Sequence, residues 1–387
     1  MQGVKFWKKV SRLHVSNDEE KGGKLMNYNS IRRKTREVRI GKIAVGGNNK
    51  IAIQSMTNTD TKDAKATLDQ IKELASAGCD IVRITVPDIE AAETVRYIKE
   101  SGIDTPIVAD IHFDYRAAIK SAEYGVDKIR INPGNIGDDS RVFEVAKICR
   151  EKNIPIRIGV NSGSVEKHIL EKHGGPTPKA LCESAFYHAS LLEKYDFYNT
   201  VISIKASGVS EMIAANRLVA ERCDYPIHLG VTEAGSERMG IIKSSAGIGS
   251  LLCDGIGDTF RVSLTADPVR EIAAARDILS ALAVEGQCGM NIVSCPTCGR
   301  TKIDLITLSK RFEDAARAEG LLDYPIKVAL MGCIVNGPGE AREADIGIAG
   351  GIGEALLISH GEILGKIKEE DIISTLIEKI KEIKERA

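Results

Sequence analysis

The chain has 387 residues, 43% hydrophobic and 28% charged, with a formal net charge of −1, which fits a globular protein of two to three domains. A balanced charge excludes a polycationic nucleic-acid binder, so an anion site must be a local cluster of Lys and Arg; 4% aromatics with no basic stripe among them leave little for bases to stack on. No apolar run reaches the roughly 18–20 residues of a membrane span, the basic start from Met1 to Lys9 is not followed by a signal-peptide core, and nine cysteines without a secretory signal point to the reducing cytoplasm.

Residues 1–29 read as a tail. The first 25 are polar and charged without a sustained period, the composition of a disordered segment. An alternative is that they are untranslated: Lys21-Gly22-Gly23 can be encoded by a bacterial ribosome-binding sequence just upstream of Met26.

From about Arg36, short aliphatic runs alternate with helical stretches. The runs are Ile51–Met56, Ile81–Val86, Pro106–Ile111, Lys128–Asn132, Pro155–Val160, Val201–Ala206, Ile227–Val231 and Thr259–Leu264. Between them lie segments of helical period such as Thr67–Ala77, Ala91–Glu100, Arg116–Tyr124 and Val142–Glu151. Such alternation predicts parallel strands with helices outside. Eight units over roughly 230 residues fit a (β/α)8 TIM-type barrel, here placed at residues 30–285. A doubly wound open sheet is the rival, but no Gly-x-Gly-x-x-Gly follows the first strand.

Beyond a linker at Gly286–Gly289, residues 286–387 form a second, smaller α/β domain. The reading has Cys295-Pro296-Thr297-Cys298, a helix over Asp304–Ala318, a strand Ile326–Met331 and a glycine-rich stretch from Gly332 to Gly353. Strands Leu356–Ile358 and Glu362–Ile367 and an amphipathic helix Glu369–Arg386 complete it.

Five barrel strands carry a cation between aliphatics: Arg83, Arg130, Arg157, Lys205 and Arg261. Strands covered on both faces should be nearly all apolar, and an unpaired buried charge costs several kcal/mol. One arginine could be absorbed by a carboxylate, but five on five strands exceed Asp110 and Glu233, the carboxylates the strands offer. The economical reading is a pocket at the C-terminal mouth that collects a polyanion such as a diphosphate. His112, Asn132, Asn135, Asn161, Thr232 and Ser263 lie at similar depth; His112 reads equally as a satisfied core histidine. Glu233, after Gly230-Val231-Thr232, is a candidate general acid/base or an arginine partner.

Cys295-x-x-Cys298 is a knuckle shared with zinc ribbons, which need a second Cys-x-x-Cys. Only Cys333 follows, so three thiolates suggest an iron–sulfur cluster with one special coordination position. The Gly337-Pro338-Gly339 turn could swing Glu340 onto it as a hard, labile ligand. The remaining cysteines (Cys79, Cys149, Cys182, Cys223, Cys253 and Cys288) read mostly as packing residues.

Ser294-Cys295-Pro296-Thr297-Cys298-Gly299-Arg300 together with Met331-Gly332-Cys333-Ile334-Val335-Asn336-Gly337-Pro338-Gly339-Glu340 resembles the 4-hydroxy-3-methylbut-2-en-1-yl diphosphate synthases, the IspG/GcpE family, in its bacterial two-domain form. Gln54-Ser55-Met56-Thr57-Asn58-Thr59, Ile129-Arg130-Ile131-Asn132-Pro133-Gly134-Asn135 and Thr232-Glu233-Ala234-Gly235 extend the likeness. It implies an iron–sulfur oxidoreductase of isoprenoid biosynthesis that opens 2-C-methyl-D-erythritol 2,4-cyclodiphosphate and removes one hydroxyl as water. It implies a [4Fe–4S] cluster on Cys295, Cys298, Cys333 and Glu340, with Glu340 yielding its iron to a substrate oxygen. It further implies diphosphate binding by Arg83, Arg130, Asn132, Arg157, Asn161, Lys205, Thr232, Arg261 and Ser263, with Glu233 as proton donor. A homodimer and electrons from reduced flavodoxin or ferredoxin complete the expectation. The rivals are an iron–sulfur sensor of a phosphometabolite and a non-redox phosphosugar barrel with a structural zinc domain.

Overall fold

The computed structural model describes residues 31–386 apart from Asp138, Glu285 and Cys288; the expectations for residues 1–29 and for Cys288 lie outside the described residues. The first strands among the described residues form a hairpin, β1 (Val38–Ile40) and β2 (Ile43–Val45), antiparallel and joined by Gly41-Lys42. Gly41 has φ +55°, as a two-residue hairpin turn requires.

Eight parallel strands follow: β3 (Ala52–Met56), β4 (Ile81–Thr85), β5 (Ile107–Asp110), β6 (Lys128–Ile131), β7 (Ile156–Asn161), β8 (Thr200–Lys205), β9 (His228–Leu229) and β10 (Thr259–Phe260). They run in the order β8-β7-β6-β5-β4-β3-β10-β9, and a bridge from Ile202 to Ile227 brings the two ends of the sheet together. All eight coincide with predicted runs, although β9 and β10 are only two residues each. Helices cover the outside, including Ala64–Ser76, Ile89–Glu100, Tyr115–Glu123, Asp139–Glu151, Pro178–Glu193 and Pro268–Ala281. Several start on an Asp or Thr whose side chain accepts a first-turn N–H: Asp63, Asp88, Asp114, Thr177 and Asp267.

Strand side chains alternate between the helix layer and the lumen. The outward positions, among them Val82, Ile84, Ile129, Ile131, Ile156, Ile158, Ile202 and Ile204, join one continuous core with the helices. The lumen is stratified. At its N-terminal end Ala52, Ile81, Val108 and Val201 pack on Val38, Ile40 and Val45 of the hairpin, which plugs the barrel.

The second domain is a five-stranded sheet: β11 (Asn291–Ser294), β12 (Lys327–Met331), β13 (Ile346–Gly350), β14 (Glu354–Ser359) and β15 (Glu362–Lys368), in that order. β11, β12 and β13 are parallel, and β14 and β15 antiparallel. Helices Leu305–Ala318 and Ile372–Arg386 bury Leu308, Phe312, Leu376 and Ile380 against one face. The glycine-rich stretch is not all loop. It contains β13 and a short helix Gly337–Glu340, while β11 is a further strand absent from the expectation. Gln287 ties the linker to the barrel: Ile51 donates to its Oε1 at 2.8 Å, and its Nε2 donates back to Ile51 at 2.7 Å. No helix among the described residues is long and apolar enough to cross a membrane.

Candidate active site: a cationic barrel and a thiol loop pair

Above the apolar floor the lumen turns polar. Arg83 (β4), Lys128 and Arg130 (β6), Arg157 (β7), Lys205 (β8) and Arg261 (after β10) point inward, each on the lumen parity of its strand. Two carboxylates stand among them. Asp110 lies 3.6 Å from Arg83 Nε and 3.1 Å from Arg130 Nη1. Glu271, from helix Pro268–Ala281, holds Arg261 through two parallel bonds of 2.9 and 2.8 Å. Burial alone would raise the Asp110 carboxyl; Arg83 and Arg130 overrule it and hold it at about 2. Burial pushes the Arg83 guanidinium down to about 10 against the pull of Asp110. Burial, then Arg83, Arg261, Arg157 and Arg130, push the Lys205 amine far below its ordinary value.

Neutral acceptors supply the remaining contacts. Arg157 Nη1 donates to Gln54 Oε1 at 2.9 Å. Arg83 Nε and Nη2 lie 3.1 and 2.9 Å from Met56 Sδ, with Arg261 Nη1 at 3.4 Å from the same sulfur. His112 is exposed at the end of β5, its Nε2 3.4 Å from Arg130 Nη1. Two glycines make room for these cations. A Cβ on Gly159 would collide with the Arg130 guanidinium, and one on Gly230 would meet Lys205 Nζ at 3.0 Å.

The expected site residues thus fall into three groups. Arg83, Asp110, His112, Arg130, Arg157, Lys205 and Arg261 form one linked charge cluster. Asn132 is buried on the β6 lumen face, whereas Asn161, Thr232 and Ser263 stand half-buried at strand ends. Glu233 is exposed, has φ +52° and makes no ion pair with the cations among the described residues. The second carboxylate of the cluster is Glu271, not Glu233. A non-glycine residue in the left-handed region is strained, and such strain gathers at functional sites. Sequence reading also missed Lys128 and Gln54, both fully buried in the lumen.

In the second domain, β11 and β12 are adjacent and parallel, so the loops leaving their C-terminal ends lie side by side. Cys295 follows β11 and accepts the Gly332 N–H on its sulfur at 3.3 Å. Cys298 is held below the ordinary thiol value by the backbone N–H and side chain of Arg300. Cys333 is held down by the N–H groups of Asn336 and Val335, and it feels both Arg300 and Cys298. N–H groups aimed at sulfur favour the thiolate, the form that ligates metal. By contrast burial raises Cys79 to about 12 and Cys182 to about 11, and raises Cys149 too, as packing thiols require; Cys253 departs from that expectation in being exposed. Glu340 ends the helix Gly337–Glu340 and is exposed. As the side chains stand, no group of three or more His, Cys, Asp or Glu among the described residues converges at metal-holding distance.

Residues 35–276 match the model of the GcpE TIM-barrel domain, and residues 291–382 that of the GcpE protein C-terminal domain. The chain belongs to the GcpE family. A GcpE relative from Clostridium perfringens, 4-hydroxy-3-methylbut-2-en-1-yl diphosphate synthase (flavodoxin), is 56% identical over 91% of this chain and 99% of its own. Relatives of the same name from Fusobacterium nucleatum and Geobacter sulfurreducens are each 53% identical over 91% of this chain and 98% and 99% of theirs. The GcpE domain limits frame both halves of the site: the cation cluster falls in the first match, and Cys295, Cys298, Cys333 and Glu340 in the second.

Proposed function

We propose that this protein is a 4-hydroxy-3-methylbut-2-en-1-yl diphosphate synthase that reduces 2-C-methyl-D-erythritol 2,4-cyclodiphosphate with electrons from reduced flavodoxin. The observation that carries the reading is the excess of buried cations over carboxylates in the lumen, beside a separate set of thiolate donors, in a chain of the GcpE family. A cyclic diphosphate supplies the negative charge that Asp110 and Glu271 leave uncompensated.

Cys295, Cys298 and Cys333 fit a [4Fe–4S] cluster in donor chemistry and in their place at neighbouring strand ends, with Glu340 as the oxygen ligand. When bound, that group supplies the two electrons singly. The chain's own residues do the rest. Arg83, Arg130, Arg157, Lys205 and Arg261 hold the diphosphate, with Asn132, Asn161, Thr232 and Ser263 at the mouth. Asp110 orients Arg83 and Arg130, and Glu271 orients Arg261, so the guanidiniums are fixed before the ligand arrives. Glu233, projecting at the end of the seventh barrel strand, protonates the departing hydroxyl so that it leaves as water. Two donor sets on separate domains need a closing motion or a second copy of the chain to meet; a homodimer is the arrangement we favour.

The test is anaerobic purification followed by iron and sulfide analysis and an assay of cyclodiphosphate reduction with a strong one-electron donor. About four irons per chain and reductant-dependent loss of substrate support the proposal. A protein with one zinc, or one that binds substrate without turnover, would overturn it.

A further inference from the structure

The least expected residue in the lumen is Lys128. It opens β6, where a lysine would ordinarily extend to solvent, yet it shares the lumen parity of Arg130 and Asn132 and is 0% exposed. Its Nζ has no hydrogen-bond partner among the described residues and no carboxylate within ion-pairing distance. Arg157 on β7 and Arg83 on β4 are the charges that act on it. His228 on β9 is fully buried, and burial, then the Arg157 guanidinium, push its imidazole far below its ordinary value. Gln54 on β3 turns its oxygen to Arg157, and its Nε2 is unpaired. Val108 on β5 and Val201 on β8 belong to the apolar floor. Asp110 answers to Arg83, Arg130, His112 and Arg157 rather than to Lys128.

A sealed ammonium beside two guanidiniums has no counter-ion among the described residues to stabilise it. Arginine keeps its proton even when buried. Lys205 is half-buried toward the mouth. Burial and its cationic neighbours favour the neutral amine at Lys205 as well, but Lys128 is the lysine that is both sealed and without a partner among the described residues, and its amine sheds charge in the empty barrel.

We propose that Lys128 couples anion binding to proton uptake: a neutral amine in the empty barrel, it becomes an ammonium beneath the bound diphosphate, the proton coming from solvent. This rests on the reading of the lumen as a diphosphate site. Lys128 is a positioning residue in this scheme. Bound phosphate oxygens restore the missing negative charge to Arg83 and Arg157, and the potential at Lys128 falls enough for it to protonate. The barrel thereby avoids one buried charge when empty and gains one cation when filled.

The experiment is calorimetric titration of the full-length protein with inorganic pyrophosphate at roughly pH 8, in buffers of different ionisation enthalpy. The slope of heat against ionisation enthalpy counts protons taken up. Wild type is expected to take up about one proton more per pyrophosphate than Lys128→Met; the probe's own titration cancels in that difference. Lys128→Arg, permanently charged, is expected to bind pyrophosphate without the extra proton and to melt lower than wild type when empty. Equal uptake in wild type and Lys128→Met overturns the coupling while leaving the diphosphate site in place. Failure of wild type to bind pyrophosphate sinks both. Should the variants not fold, carbon-13 NMR of lysine side chains in wild type decides. A buried lysine Cε signal that moves to its ammonium position on adding pyrophosphate supports the coupling, and one that stays put refutes it.

Discussion

Replacing Asp110 by Asn separates the two roles a buried carboxylate can have among cations. Asp110 is 3% exposed and is held at about 2 by Arg83 and Arg130. Its folded value is depressed, so the stability it contributes is present above the ordinary carboxylate value and is lost as pH falls from about 3.8 toward 2. A shift of that size is worth roughly 2 kcal/mol at neutral pH. Asn also leaves two buried guanidiniums short of a partner, which brings the cost of the empty protein to about 3–5 kcal/mol. At about 2–4 °C per kcal/mol for a domain of this size, the melting temperature should fall by on the order of 10 °C. Ligand binding should move the other way. Removing a negative charge roughly 7 Å from a phosphate is worth about 2 kcal/mol at an effective dielectric of 20, so pyrophosphate should bind at least tenfold more tightly and restore most of the lost stability. Thermal melts with and without pyrophosphate, together with calorimetry, measure both quantities. Weaker pyrophosphate binding in Asp110→Asn would refute the reasoning, because the orientation Asp110 gives Arg83 and Arg130 would then outweigh the charge it places beside the ligand.

Four further outcomes are expected. Glu233→Gly should relieve the strain at φ +52° and raise thermal stability by about 1 kcal/mol, while turnover falls by roughly a hundredfold or more; a less stable variant argues against stored strain there. Gly159→Ala should keep the fold by circular dichroism but weaken pyrophosphate binding by about tenfold or more, because the new Cβ displaces the Arg130 guanidinium; unchanged affinity removes Arg130 from the site. Cys333→Ser should lower iron content without affecting pyrophosphate binding to the barrel, whereas Glu340→Ala should retain iron and lose most activity. Full activity in Glu340→Ala removes that carboxylate from the mechanism.

The barrel was legible because each strand announced itself as an aliphatic run, and its chemistry because a cation interrupted five of those runs. What escaped did so for identifiable reasons. Lys128 begins its strand, where a lysine normally ends in water. Glu271 lies on a helix, where a carboxylate reads as surface, yet that helix packs on β3 and turns it inward to Arg261. β13 was hidden by its glycines, although these are a packing requirement: a Cβ on Gly347 would meet the Ala329 carbonyl oxygen at 2.6 Å. Gly159 and Gly230, at lumen positions of strands otherwise built for burial, were the available signal that something large and charged lay opposite. The three cysteines stood out by type and spacing; that their loops lie side by side was not legible, because β11 was missed, and neither were the donors that lower the Cys298 and Cys333 thiols, since they depend on backbone direction.

The hairpin plug explains how so many cations can be gathered at all. Val38, Ile40 and Val45 close the N-terminal end with Ala52, Ile81, Val108 and Val201, so among the described residues the floor of the lumen is packed and apolar. That floor holds little to screen charge, so the field of the arginines is weakly screened toward the mouth where an anion enters. The same seal that makes Lys128 costly as an ammonium makes every cation above it more effective toward a phosphate. Asp110 and Glu271 then set orientation rather than neutrality: each fixes its guanidiniums from the side, while other N–H groups of Arg83 and Arg261 face the weakly accepting Met56 sulfur, which phosphate oxygens can replace. A barrel with a full complement of carboxylates would be more stable when empty and would have no reason to bind a diphosphate, so the charge imbalance is the feature on which the proposed function depends.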